Sequence, residues 1–179
     1  MSARRADERD LLLGEWACLG ILVQAPAHGF AVAARLKPEG DIGRVWSLSR
    51  ALTYRALDHL RERGLIRAVG EEPGIAGGSR TVLAPTRSGV ALLRKWYGTP
   101  VAHLRDLRSE LLLKLVLAEQ NGADVGVLLE RQQEQIRDMT TRILRQCSDS
   151  DEFDVVALWR IEAADAADRF LQRVRAAQT

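Results

Sequence analysis

Ser49-Arg50-Ala51-Leu52-Thr53-Tyr54-Arg55-Ala56-Leu57-Asp58-His59-Leu60-Arg61-Glu62-Arg63-Gly64-Leu65-Ile66 contains the clearest helix of the chain. Ser47 or Ser49 offers the oxygen that caps its start. Leu52, Ala56, Leu57 and Leu60 are spaced as one buried stripe, and Gly64 supplies the left-handed stop. The opposite face carries Arg50, Thr53, Tyr54, Arg55, Asp58, Arg61 and Arg63. An arginine-rich face is most often solvated surface, so its meaning depends on what flanks it.

Upstream, an apolar helix is expected from about Asp10 to Gln24, with Asp7 or Asp10 near its positive end. Leu12, Trp16, Leu19 and Val23 form its stripe, and Leu11, Ala17, Cys18, Ile21 and Leu22 widen it until both faces are covered. A short helix from Gly29 to Leu36 stops before Pro38, and a charged, glycine-bearing loop, Lys37 to Arg44, leads into the arginine helix. Downstream, Leu65 to Val69 reads as a strand, and so do Val82 and Leu83 with their flanks. Gly70 to Ser79 between them reads as a hairpin tip. Thr86 caps a fourth helix that ends near Tyr97. Helix, helix, loop, arginine helix, strand, tip, strand, helix is the order of a winged helix–turn–helix. A helix fits the ~12 Å major groove of DNA, where guanidinium and hydroxyl groups read base edges, while a wing meets phosphates. Arg50 and Arg55 point about 140° apart on a helix and serve different contacts. The candidate DNA contacts are therefore Ser47, Ser49, Arg50, Thr53, Tyr54 and Arg55 from the helix and Ser79 and Arg80 from the wing.

Composition narrows the alternatives. The 179 residues are 46% hydrophobic and 28% charged, enough apolar content for a core, and a net charge of +2 is far from the balance of a disordered chain. That small total conceals an asymmetry: residues 1–98 hold 15 Lys and Arg against 10 Asp and Glu, and the remainder hold 11 against 14. A basic first half suits an anionic partner. Cys18 and Cys147 are far apart, and His28, His59 and His103 are scattered, which argues against a disulfide framework, a metal site or any cofactor built on them. The run from Leu11 to Val23, with Arg4 and Arg5 before it and Ala25-Pro26-Ala27 after, imitates a secretory leader. Asp7, Glu8, Asp10 and Glu15 speak against that, and no stretch reaches the ~20 apolar residues of a membrane span, so a cytoplasmic protein is expected. The glycines near Ser79 lack the Lys-Ser/Thr of a phosphate loop, and no nucleophile elbow or paired metal ligands occur. No enzyme is expected.

Gly98-Thr99-Pro100 divides the chain, giving a winged helix–turn–helix domain over 1–98 and a helical domain over 99–179. Leu104 to Gln120 forms one helix, stopped at Asn121-Gly122. Asp124 opens another, whose positions Val125, Leu128, Ile136, Met139 and Ile143 keep near-heptad spacing with Gln132 as the polar exception, until Ser148-Asp149-Ser150. The last helix, about Glu152 to Ala177, would be roughly 39 Å long. Phe153, Val156, Ala163, Ala167, Phe170 and Val174 make one stripe, and Val155, Trp159 and Ile161 spread beyond it. So much apolar surface argues for pairing across subunits, with Phe153, Val156, Trp159, Ala163, Phe170 and Val174 as the dimer contacts. The expected fold is mostly α with a small β-hairpin wing.

These residues also resemble the PadR family of bacterial transcriptional regulators, in its longer form with an added C-terminal helical domain. Gln24-Ala25-Pro26-Ala27-His28-Gly29-Phe30 is similar to that family's small-Pro-x-His-Gly-aromatic stretch, and Leu52 to Ile66 is similar to its recognition helix. Thr86-Arg87-Ser88-Gly89 resembles the start of the helix after the wing, and Leu111-Leu112-Leu113-Lys114-Leu115 the opening of the helical domain. Leu83 and Pro85-Thr86 depart from the family's aromatic and Leu-Thr pair, and a proline there should end the strand or put it at an edge. The resemblance implies a homodimeric repressor on a near-palindromic double-stranded operator. It also implies, for some members, release by a small aromatic or drug-like effector. Trp16, Trp46, Trp96 and Trp159 invite comparison with such a pocket, although buried tryptophans usually belong to core or interface. The alternative is a winged-helix protein-interaction module without DNA binding.

Overall fold

Helix α1 (Leu13–Gln24) is apolar on every side, and every residue from Gly14 to Leu22 is buried, as expected for a helix at the centre of its unit. A computed structural model describes residues 11–73, 78–148 and 154–177, the side chains of 146–148 excepted. Two compact units result: one joins the chain up to Tyr97 with Leu112–Ala123, the other comprises Gly98–Leu111 and Asp124–Thr179.

In the first unit α1 starts where the Glu15 carboxylate accepts the Leu12 amide at 2.7 Å. The other oxygen of this buried side chain lies 2.5 Å from His59 Nδ1, so both of its oxygens have hydrogen-bond partners. Cys18 lies one turn on. Burial pushes its thiol up to about 12, and the nearby Glu15 adds to the shift. The charges expected at Asp7 and Asp10 lie outside the described residues.

A two-residue strand, β1 (Ala27–His28), precedes α2 (Gly29–Arg35), whose first turn is capped by His28 Nδ1 accepting the Ala31 amide at 3.0 Å. Arg35 at the other end holds Asp41 through Nε at 3.0 Å and also donates to Gln24 and Gln120. This guanidinium lowers the Asp41 carboxyl below its ordinary value. Helix α3 (Arg50–Glu62) begins at Ser49, whose Oγ accepts the Leu52 amide at 3.3 Å. Ser47 is exposed in the loop before it. Gly64 closes the helix at φ 68°, the left-handed conformation expected of it.

The hairpin is longer than its composition suggested. Strands β2 (Ile66–Pro73) and β3 (Ser79–Pro85) pair antiparallel from Ile66↔Pro85 to Pro73↔Ser79, with a bulge between Ala68 and Gly70. Gly70–Pro73 and Ser79 are thus strand rather than tip, because cross-strand pairing overrides turn-like residues. Residues 74–77 of the tip lie outside the described residues. Strand β3 ends at Pro85 as its missing donor requires, and it also pairs with β1, giving the order β1-β3-β2. Thr86 then joins hairpin to helix: its hydroxyl donates to the Gly64 carbonyl at 2.8 Å and its oxygen accepts the Gly89 amide, opening α4 (Arg87–Tyr97).

Helix α6 (Leu112–Gln120), which the division at residue 98 assigned to the second half, groups with this first unit. Leu113, Leu117 and Ala118 are fully buried, and the Asn121 amide reaches the Gly20 carbonyl of α1 at 3.2 Å and the Tyr97 hydroxyl at 3.2 Å. Trp16 and Trp96 stack in this core with ring centroids 4.7 Å apart, and Lys114 lies 4.9 Å from the Trp96 ring.

The second unit contains α5 (Leu104–Asp106), a π-helical turn at Leu107–Leu111, and two long helices, α7 (Gly126–Ser148) and α8 (Val155–Ala177), packed along each other. Gln132, the polar exception on α7, is buried because it completes the backbone of Val101: its Oε1 accepts the Val101 amide at 2.7 Å and its Nε2 donates to the Val101 carbonyl at 3.0 Å. Asp154 caps α8, accepting the Val156 amide at 2.8 Å. The inner stripe of α8 is Ala157, Ala164 and Leu171, one heptad apart. The stripe expected from the sequence is displaced outward: Val156 and Phe170 are exposed, Ala163 and Val174 are half-buried, and Trp159 is 71% exposed. Phe153 lies outside the described residues. Val155 and Leu158 extend this outer apolar surface.

Candidate nucleic-acid interface

Arg50 stands in the first turn of α3, where Ser49 anchors the helix start and leaves the guanidinium exposed. One turn on, Tyr54 is 40% exposed. Its ring lies over the start of α2, where Gly29 leaves the room: a Cβ there would come within 2.9 Å of Tyr54 Cε1. Arg80 comes from another element, β3. Arg50 and Arg80 both lie over the ring of Phe30, at 5.4 and 5.1 Å from its centroid, and Arg50 is 5.7 Å from the centroid of Tyr54. Arginine–ring contacts of this kind contribute about 0.5–1 kcal/mol at exposed sites and hold the guanidinium in place.

Together α3, the start of α2 and the wing enclose an open cleft of about 370 Å³. Arg50, Arg61 and Arg80 line it against the single carboxylate of Asp58, which itself pairs with Arg61 at 3.1 Å. The cleft thus carries a positive excess beside two aromatic rings. Ser79, also in the lining, donates to Glu71 across the hairpin at 2.6 Å, which fixes the strand that carries Arg80.

Of the residues singled out from the sequence, Arg50, Tyr54, Ser79 and Arg80 meet in this cleft. Ser47, Ser49 and Arg55 are exposed but do not line it, Ser49 being the cap. Thr53 is turned the other way. It is 0% exposed, and its hydroxyl donates to the Ser49 carbonyl at 3.0 Å. A buried hydroxyl satisfied inside its own helix cannot read a base, so Thr53 is a packing residue and Leu52, 47% exposed, takes its expected place outside. Phe30 and Arg61 enter the site without having been selected from the sequence as contacts. The only signal for Phe30 was its position as the aromatic after His28-Gly29.

Among the described residues no group of His, Cys, Asp and Glu could hold a metal ion, and no helix is long and apolar enough to cross a membrane.

Helices α2 and α3 with the β2–β3 hairpin make a winged helix–turn–helix, and the chain as a whole is mostly α with a small β wing and further C-terminal helices. It matches no protein-family model and no curated protein. Among solved structures it is similar to that of Bacillus subtilis PadR in complex with operator DNA, at 16% identity over 90% of this chain and 96% of that one, with a TM-score of 0.46.

Proposed function

We propose that the chain is a DNA-binding transcriptional regulator, and that it acts in the cytoplasm as a homodimeric repressor on a near-palindromic operator. The observation that carries this reading is the convergence of Arg50 from α3 and Arg80 from the wing on one exposed cleft. Guanidinium groups at such a junction suit a duplex, in which a base edge and a phosphate are presented side by side. In this reading Arg50, Tyr54 and Arg55 face the major groove. Ser47, Ser49, Ser79 and Arg80 meet the backbone.

Dimerisation through the second unit is supported by the outer face of α8, where Val155, Val156, Leu158, Trp159 and Phe170 are all exposed. Apolar surface of that extent ordinarily marks an interface, and a two-fold dimer would present two α3 helices to half-sites about 34 Å apart or a multiple of it. The PadR resemblance adds release of DNA by a small aromatic or drug-like effector. Trp16 and Trp96 are stacked on one another in the core, so an effector site would have to use other residues or open that stack.

Selection of duplexes from a random-sequence library by the purified full-length chain tests the reading. Enrichment of a near-palindrome is expected, and recovery of unenriched sequence at every salt concentration contradicts it. A second reading, a winged-helix module that binds protein, has one observation in its favour: Phe30 and Tyr54, both partly exposed, line the same cleft. Affinity for DNA that falls steeply with salt separates the two, since phosphate contacts release counterions.

A further inference from the structure

We infer that Phe30 is a positioning residue of the interface, a single ring on which the guanidiniums of α3 and of the wing are both seated. The inference rests on the DNA-binding reading and adds to it a residue that need not itself touch the duplex.

Backbone pairing places the ring. Strand β1 pairs with β3 at Ala27↔Leu83 and His28↔Val82. Phe30 follows β1 in the first turn of α2, Arg80 lies two residues before Val82 on β3, and the Arg80 guanidinium meets the Phe30 ring. His28 then caps α2 through its Nδ1, which fixes the turn from which Phe30 projects. Arg50 reaches the ring from another element, the first turn of α3, itself fixed by Ser49. The two guanidinium carbons lie 5.4 and 5.1 Å from the ring centroid.

Chemistry explains the use of such a seat. Two arginines aimed at one cleft repel each other, and each would lose rotamer entropy on meeting DNA. The negative face of an aromatic ring attracts both and orders them before DNA arrives, which lowers the cost of binding. Phe30 is 41% exposed, so a role confined to the hydrophobic core does not account for it.

The test uses full-length protein and a fluorescein-labelled duplex enriched by the wild-type chain from a random library. Phe30→Leu should weaken binding about three- to tenfold. The salt slope should stay that of wild type, because no phosphate-facing charge is removed. Phe30→Tyr, which keeps the ring, should restore affinity. Phe30→Leu combined with Arg80→Ala should lose less than the product of the single losses. In NMR spectra of the free protein the side-chain protons of Arg50 and Arg80 should be shifted by the ring current in wild type and move to ordinary positions in Phe30→Leu, with the remaining dispersion kept. Wild-type affinity in Phe30→Leu, or losses that multiply fully with Arg80→Ala, overturns the inference while leaving DNA binding in place. A wild-type chain that enriches no duplex overturns both, and the arginine shifts would then report only a surface contact.

Discussion

Gly89 lies so close to Leu65 that a Cβ on it would come within 2.2 Å of the Leu65 carbonyl oxygen. The first turn of α4 is thereby pressed against the residue that follows α3 and leads into β2, while Thr86 bonds the Gly64 and Leu65 carbonyls on the same spot. Wing, α3 and α4 are registered at this junction. Gly89→Ala should cost about 1–3 kcal/mol, since backbone must move and the ~1 kcal/mol gain in helix propensity is outweighed. Urea denaturation reads the loss. An unchanged midpoint would mean that the junction opens freely.

Gln132 should behave as part of the Val101 backbone. Gln132→Leu removes both partners of a buried amide and carbonyl and should destabilise by about 1–3 kcal/mol, whereas Gln132→Glu keeps the acceptor and should cost less at pH values where a protonated carboxyl can still donate. Thermal unfolding of the two variants across pH 4 to 7, on the order of the carboxyl range, ranks them. Equal stability at every pH would contradict the double hydrogen bond.

Asp41 gives a pH signature whose sign follows from its lowered pKa. Arg35 stabilises the ionised carboxylate in the folded state, so the contribution is complete above the unfolded value of about 3.9 and is lost as pH falls through the lower folded value. The pair is half-exposed, which keeps the effect within about 1 kcal/mol. The stability gap between wild type and Asp41→Asn should therefore be constant near neutrality and close under acid conditions. A gap that widens on acidification would reverse the assignment.

Much of this was legible in the sequence, and the misreadings are physically specific. On α3 the residues at 53, 56, 57 and 60 keep the i, i+3, i+4, i+7 spacing better than a stripe begun at Leu52, and Thr53 is the buried member. Hydrophobicity favoured leucine, but a threonine that returns its hydroxyl to the preceding turn is cheap to bury. The wing was read short because Gly70, Glu71, Glu72 and Pro73 look like turn residues, whereas pairing with β3 decides. On α8 the small residues Ala157 and Ala164 line the inner face, and the bulkier apolar side chains stay outside. Periodicity finds the stripe, but it does not tell which of two apolar stripes meets the neighbouring helix. The cleft was half visible: Arg50 and Arg80 could be chosen singly, but only the packing of α2 against α3 and the wing brings Phe30 to both.

The proposed dimer can be tested on the outer stripe of α8. Full-length protein should sediment as a dimer at micromolar concentration, and Trp159→Arg, at a position 71% exposed in the single chain, should yield a folded monomer. Its affinity for a two-half-site duplex should fall steeply, because the half-sites no longer share one association cost. A dimer that persists in Trp159→Arg with undiminished stability would place the interface elsewhere.

The central claim is that Arg50 and Arg80 form one DNA-reading site, and the salt dependence of duplex affinity for wild type, Arg50→Ala and Arg80→Ala tests it most directly. The account predicts a steep loss of wild-type affinity with salt, a slope reduced by about one contact in Arg80→Ala with sequence preference kept, and in Arg50→Ala a loss of about 1–3 kcal/mol with relaxed preference at a single base. Affinity indifferent to salt, or unchanged by both substitutions, would contradict it.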